Sequence, residues 1–122
     1  MRLASVFVEI KARRKRRKLL FKARIASGLE KFLGIMFSRK QFVPLVIEFG
    51  VEARGLNAIH SFFCPSFDAV FLDSRKRVVD VARVKPFSFS IVSRAPCKFV
   101  VELPAGNAQR LKLSKGLKLS WS

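Results

Sequence analysis

The chain has 122 residues, half of them apolar, and sets 25 Lys and Arg against 8 Asp and Glu for a formal net charge of +17. One domain's length of chain can bury roughly 65% of its unfolded surface around a single core, and the apolar fraction excludes global disorder. No run of 18 or more apolar residues is present to cross a bilayer as a helix, and the charge makes RNA, DNA or an anionic membrane surface the natural partners.

Leu3 to Ile10 (LASVFVEI) is rich in β-branched and aromatic residues and predicts a strand. It is short, holds Ser5 and Glu9, and precedes the positive charge, unlike a signal peptide, so the expected location is the cytoplasm. KARRKRRK, Lys11 to Lys18, then places seven cations in eight residues. Leu19 to Ala26 alternates Phe21, Ala23 and Ile25 against Leu20, Lys22 and Arg24, as a half-buried strand does. The basic block therefore lies between two strands, and a hairpin with a charged tip is expected.

Six consecutive like charges, Arg13 to Lys18, repel one another, and such a tip is stabilised when phosphates or anionic lipids neutralise it. Lys11, Arg13, Arg14, Lys15, Arg16, Arg17 and Lys18, with Lys22 and Arg24 beyond them, are the expected polyanion contacts. A solvated loop that keeps the protein soluble is the plainer reading. Phe21, beside these cations, is the aromatic placed to stack on a base.

Ser27-Gly28-Leu29-Glu30 has the capping-box form and predicts a short helix, with Gly34 as its stop. After Pro44, Leu45 to Phe49 reads as a strand. Ile59 to Phe63 and Phe67 to Leu72 are the most apolar runs and predict central strands, parted at Cys64-Pro65-Ser66. Asp73 to Lys76 predicts a turn, Val78 to Val84 and Cys97 to Leu103 further strands, and Pro104-Ala105-Gly106 a helical turn through Arg110. Leu111 to Leu119 alternates Leu with Lys around a turn at Ser114-Lys115-Gly116. The expectation is a mainly β (β-rich α+β) compact single domain over residues 1–122, barrel-like in one arrangement, with about six to eight short strands and one or two short helices.

Candidate chemistry centres on His60, the sole histidine, and on Asp68, which shares a strand face with Val70 and Leu72. If the two apolar runs pair, a buried carboxylate orients an imidazole, a familiar acid–base unit. A structural hydrogen bond is the simpler role, because a buried Asp needs partners whatever it does. Glu102 ends a strand and is placed to cap the following turn. His60, Asp68 and Glu102 together mark the candidate pocket for a small anionic metabolite. No nucleophile motif, phosphate-binding loop or dinucleotide fingerprint is present, and Cys64 and Cys97 lack zinc-ligand spacing. Neither catalysis, a cofactor nor a metal is expected. The cysteines read as reduced thiols. Asn and Gln total only four, a thermophile mark that would favour a Cys64–Cys97 disulfide.

GIMFSRK (Gly34 to Lys40), IHSFFCPSFDAVFLD (Ile59 to Asp73), RVVDV (Arg77 to Val81), VKPF (Val84 to Phe87) and KFVVELPAG (Lys98 to Gly106) resemble the signature blocks of domain-of-unknown-function family 192, uncharacterised protein family 0127. The resemblance covers about residues 20–119. It implies a compact β-rich domain of archaea and bacteria with no established activity. Two departures stand out: Gly116-Leu117 replaces the family's Gly-Asp, and the block Lys11 to Lys18 lies outside the family pattern. The leading expectation is a non-catalytic module that binds RNA or DNA phosphates non-specifically. The alternatives are a peripheral membrane or protein-interaction module, and an enzyme or binder of a small anionic metabolite near His60 and Asp68.

Overall fold

A computed structural model describes residues 2–10, 16–26, 35–36, 38–54, 57–88 and 90–122. The hairpin tip at 11–15 and the helix expected from Ser27 to Gly34 lie outside the described residues. Among the described residues the chain forms β1 (Arg2–Ile10), β2 (Arg16–Ile25), β3 (Leu45–Ala53), β4 (Phe67–Leu72), β5 (Val78–Val84), β6 (Cys97–Pro104), the one-turn α1 (Asn107–Arg110) and β7 (Leu119–Trp121). They make one seven-stranded sheet in the order β5-β4-β6-β3-β2-β1-β7, antiparallel throughout except for a two-pair parallel contact of β2 with β3.

The sheet closes on itself through residues 116–122. On one side, Val78 N–H donates to Leu117 O at 2.8 Å and Gly116 N–H to Val78 O at 2.8 Å, around a bridge between Arg77 and Lys118. On the other, β7 pairs Val6 to Val8 with Trp121 to Leu119, and Ser122 exchanges bonds with Ser5. The short last strand thus joins the outer strand β5 to β1, which removes two open edges at once. Val6, Ala23, Val46, Val70, Leu72, Val78, Val101, Leu103 and Leu119, drawn from every strand, fill the interior.

A second layer lies outside β3, β4 and β6, where Leu45, Ile47, Phe67, Ala69, Phe71 and Val100 meet Ile35, Ile59 and Cys64. Both faces of β4 are therefore covered, so it reads in the sequence as an unbroken apolar run instead of an alternation. Burying Phe67 and Phe71 completely contributes about 2–3 kcal/mol each.

Ile59 to Phe63 does not form the expected central strand. It keeps a single bridge, Ile59 with Ile91, and then turns at Phe62 and Phe63. Ser61 ties this loop to the β5–β6 connection: its N–H donates to Ser88 O at 3.0 Å, its hydroxyl to Lys85 O at 2.6 Å, and its carbonyl accepts from Phe87 N at 2.9 Å. Local apolarity here serves the outer layer, not the ladder. The alternation from Leu111 to Leu119 likewise resolves into a turn and only the short β7.

Candidate functional site

β1 and β2 form the expected hairpin, with Ile10 opposite Arg16 as its last described pair. Arg16, Arg17, Lys18 and Lys22 are exposed, whereas Arg24 is half-buried. Lys11, Arg13, Arg14 and Lys15 lie outside the described residues. A β-bulge at Leu20 shifts the register from Val6–Phe21 to Phe7–Leu19. Side chains alternate along a strand, so without it Arg17 and Lys22 would point to opposite faces; with it Arg17, Leu19, Lys22 and Arg24 share the outer face with Leu3, Phe7 and Glu9. The Arg17 guanidinium stacks over the Phe7 ring at 4.2 Å from its centre, a cation–π contact that holds its donor fork in a fixed plane. Glu9, the acid on this face, reaches Lys118 at 3.8 Å. Phe21 pairs with Val6 and packs against the barrel interior, so Phe7 is the aromatic that stands beside the cations.

Asp68 sits on the interior face at the mouth of the barrel and ties three elements together. Its Oδ1 accepts from Arg83 Nε at 2.6 Å; its Oδ2 accepts from Gly106 N and Ala108 N, each at 2.9 Å. The capping of the turn after β6, expected of Glu102, thus falls to Asp68. Gly106 takes φ of 92° to present these N–H groups, a conformation that a side chain disfavours. His60 is half-buried in the loop ahead of β4, where its Nδ1 accepts from Phe62 N at 3.2 Å.

Glu102 pairs with Ala69 and Asp68 with Leu103, which places the two carboxyl groups on opposite faces of the sheet. Glu102 is 2% exposed beneath the outer layer, its Oε1 has no hydrogen-bond partner among the described residues, and burial pushes its carboxyl up to about 8. Leaving such an atom unsatisfied costs about 1–3 kcal/mol. Cys64 and Cys97 are free thiols in the same layer. Burial raises both to about 11, with Glu102 adding to the effect at Cys64, and Glu52 and Asp80 at Cys97.

Two features had no sequence signal. Phe63 and Phe87 lie 55% and 61% exposed on neighbouring loops, edge to face with ring centres 5.7 Å apart, and both take left-handed φ of 54° and 63°. Bulky side chains rarely adopt that region, and they do so only where surrounding bonds dictate it. The enclosed Arg24 Nε, which also lacks a hydrogen-bond partner among the described residues, is the second. Among the described residues no three His, Cys, Asp or Glu gather as a metal site, and no helix is long and apolar enough to cross a membrane.

The family model of domain of unknown function 192, described as Uncharacterized ACR, matches residues 13–121. The match starts earlier than residue 20 and takes in the basic run from Arg13 onward. A UPF0127 protein of Pyrococcus furiosus is 35% identical over 77% of this chain and 80% of its own, and one of Pyrococcus horikoshii 37% over 78% and 82%. Two crystal structures share the fold at TM-score 0.77. A proposed transcription regulator from Sinorhizobium meliloti is 24% identical and covers 97% of this chain and 93% of the other. A protein of unknown function from Novosphingobium aromaticivorans is 21% identical, with 96% and 84% covered.

Proposed function

The chain belongs to domain-of-unknown-function family 192, whose members are uncharacterised, and from that premise we propose a non-catalytic module that holds RNA or DNA through backbone phosphates in the cytoplasm, with RNA preferred. The observation that carries this reading is the cluster Arg16, Arg17 and Lys18, exposed at the open end of the β1–β2 hairpin, on a chain of net charge +17. The acid opposite Arg17, Glu9, is engaged with Lys118 and leaves the cluster its charge. Lys22 extends it along the face that the Leu20 bulge creates. Phosphate contacts carry no sequence information by themselves, so binding is non-specific and falls steeply with salt.

Binding of labelled RNA and DNA by the intact chain is compared, across a salt series, with that of a chain neutralised from Lys11 to Lys18. A large loss of affinity supports the reading; equal affinity removes the block as the contact. A second reading, docking on an anionic membrane surface, is favoured by the exposed Phe63–Phe87 pair beside exposed Lys85, since basic residues near such a surface contribute about 1 kcal/mol each. Flotation with anionic against neutral vesicles separates the two.

A further inference from the structure

We propose that the outer face of the sheet binds a short aliphatic monocarboxylate between Arg24 and Glu102. The ladder puts them in one row: Arg24 pairs with Leu45, Leu45 with Glu102, and Glu102 with Ala69. Residues paired across strands face the same way, and two strand spacings set the Arg24 and Glu102 backbones about 10 Å apart. Among the described residues, each of the two side chains carries an enclosed polar atom with no hydrogen-bond partner, Nε on Arg24 and Oε1 on Glu102. The two do not pair with each other: the ion pairs among the described residues are Arg83–Asp68, Lys98–Glu48 and Lys118–Glu9.

Asp68 shows what this sheet does with a buried carboxyl that serves structure, since both of its oxygens accept hydrogen bonds. Glu102 is as deeply buried, yet among the described residues its Oε1 has no hydrogen-bond partner, and it lies in line with an Arg24 Nε that has none either. A ligand that meets both must accept from a guanidinium. At neutral pH the buried Glu102 carboxyl holds its proton, so its O–H also donates. A carboxylate accepts from both groups and cancels the Arg24 charge, leaving the enclosed site neutral. A phosphate dianion leaves a net negative charge, and a cationic ligand meets Arg24 with like charge. Leu45, Ala69 and Cys64 on the same covered face give the tail an apolar surround.

Of the groups on or over this face, the Cys64 and Cys97 thiols, held up to about 11, stay neutral below pH 9. His60 lies half-buried in the covering loop, and a His60→Gln chain isolates its part in any pH dependence.

The probe is propionate, titrated at pH 6 and pH 9 into the full chain carrying 13C-labelled Glu side-chain carboxyls. The expected result is saturable binding at pH 6 that shifts the Glu102 resonance and weakens at least tenfold at pH 9. Glu102→Gln, whose amide donates in place of the O–H, binds with an affinity that does not change between the two pH values. Arg24→Gln loses at least tenfold at pH 6; should that chain fail to fold, Arg24→Lys, which keeps the charge without the planar fork, also weakens binding. The chain neutralised from Lys11 to Lys18 binds propionate as the intact chain does, so failure of polyanion binding and failure of this site are read separately. Absence of saturable binding at pH 6, a Glu102 carboxyl already ionised there in the ligand-free protein, tighter binding of inorganic phosphate than of propionate, or an Arg24→Gln chain that binds normally each overturns the proposal.

Discussion

Replacing Asp68 by Ala removes the acceptor for three donors at once and tests whether this residue is a structural tie. The N–H of Ala108, a residue 4% exposed, is then left without its partner at 2.9 Å, as is the N–H of Gly106. Each stranded backbone donor costs about 1–3 kcal/mol. Arg83 adds little, because its side chain is 55% exposed and water solvates it when the carboxylate is gone; a pair of that kind contributes under about 1 kcal/mol. The expected loss is about 3–5 kcal/mol, a large share of the roughly 5–15 kcal/mol that a domain possesses. At about 3–5 °C per kcal/mol for a chain of this length, Tm falls by about 10–20 °C. Asp68→Asn retains one acceptor oxygen and falls between, while Arg83→Ala costs about 0.5–1 kcal/mol. Urea unfolding followed by circular dichroism gives the three values, and amide exchange at Gly106 and Ala108 reports the freed donors directly. The reasoning fails if Asp68→Ala costs less than about 1 kcal/mol, or if Arg83→Ala costs as much as Asp68→Ala.

Glu102 makes stability depend on pH with a definite sign. Its carboxyl is raised in the fold from 4.5 to about 8, so below 4.5 both states hold the proton and stability is greatest; from there to about 8 only the unfolded chain releases it, and stability falls by a few kcal/mol as pH rises. Glu102→Gln flattens that fall in a series of melts from pH 4 to 9, and an unchanged slope would count against the burial argument. The two free thiols, buried and raised to about 11, react with a disulfide reagent at pH 7.5 at least tenfold more slowly in the native protein than after denaturation, where both react. Gly116 has φ of 92° with open space around it, so Gly116→Ala costs about 1 kcal/mol in conformational strain alone, whereas Gly50→Ala, also in open space but without that φ, changes stability by less than about 0.5 kcal/mol.

Where a segment's local pattern and its tertiary role agree, the sequence is a sufficient guide. Val78 to Val84 is a strand over the expected range, and the turn expected at Asp73 is held by its own side chain, Oδ1 accepting from Arg75 and Arg77 N–H. Ile59 to Phe63 misleads because apolar side chains needed by the outer layer look like those of a central strand; the deciding partners, Ser88 and Ile91, are about 30 residues away. Closure of the sheet was legible only as one arrangement among several, since it rests on backbone bonds of residues 116–122 that leave no mark on side-chain pattern. At the candidate site the cations are plain in the sequence, yet which of them share a face is set by one bulged residue, Leu20. Asp68 and Glu102 could not be told apart as tie and orphan without the register that puts them on opposite faces. The pairing of two exposed Phe residues across loops has no local signal at all.

The charge on the hairpin has a competing use. Arg16 to Ala23 form no pair with β3, and cations along an open edge discourage pairing with another chain. The salt dependence of RNA binding decides between edge protection and phosphate contact. On single-stranded RNA each phosphate contact contributes about −0.7 to the slope of log affinity against log salt, so a chain with Arg16, Arg17, Lys18 and Lys22 replaced by Gln has a slope shallower by about 3 than the intact chain if all four touch phosphate. That difference, with the variant still folded, is the predicted result; two chains with the same slope and the same affinity would contradict the proposed role of the hairpin.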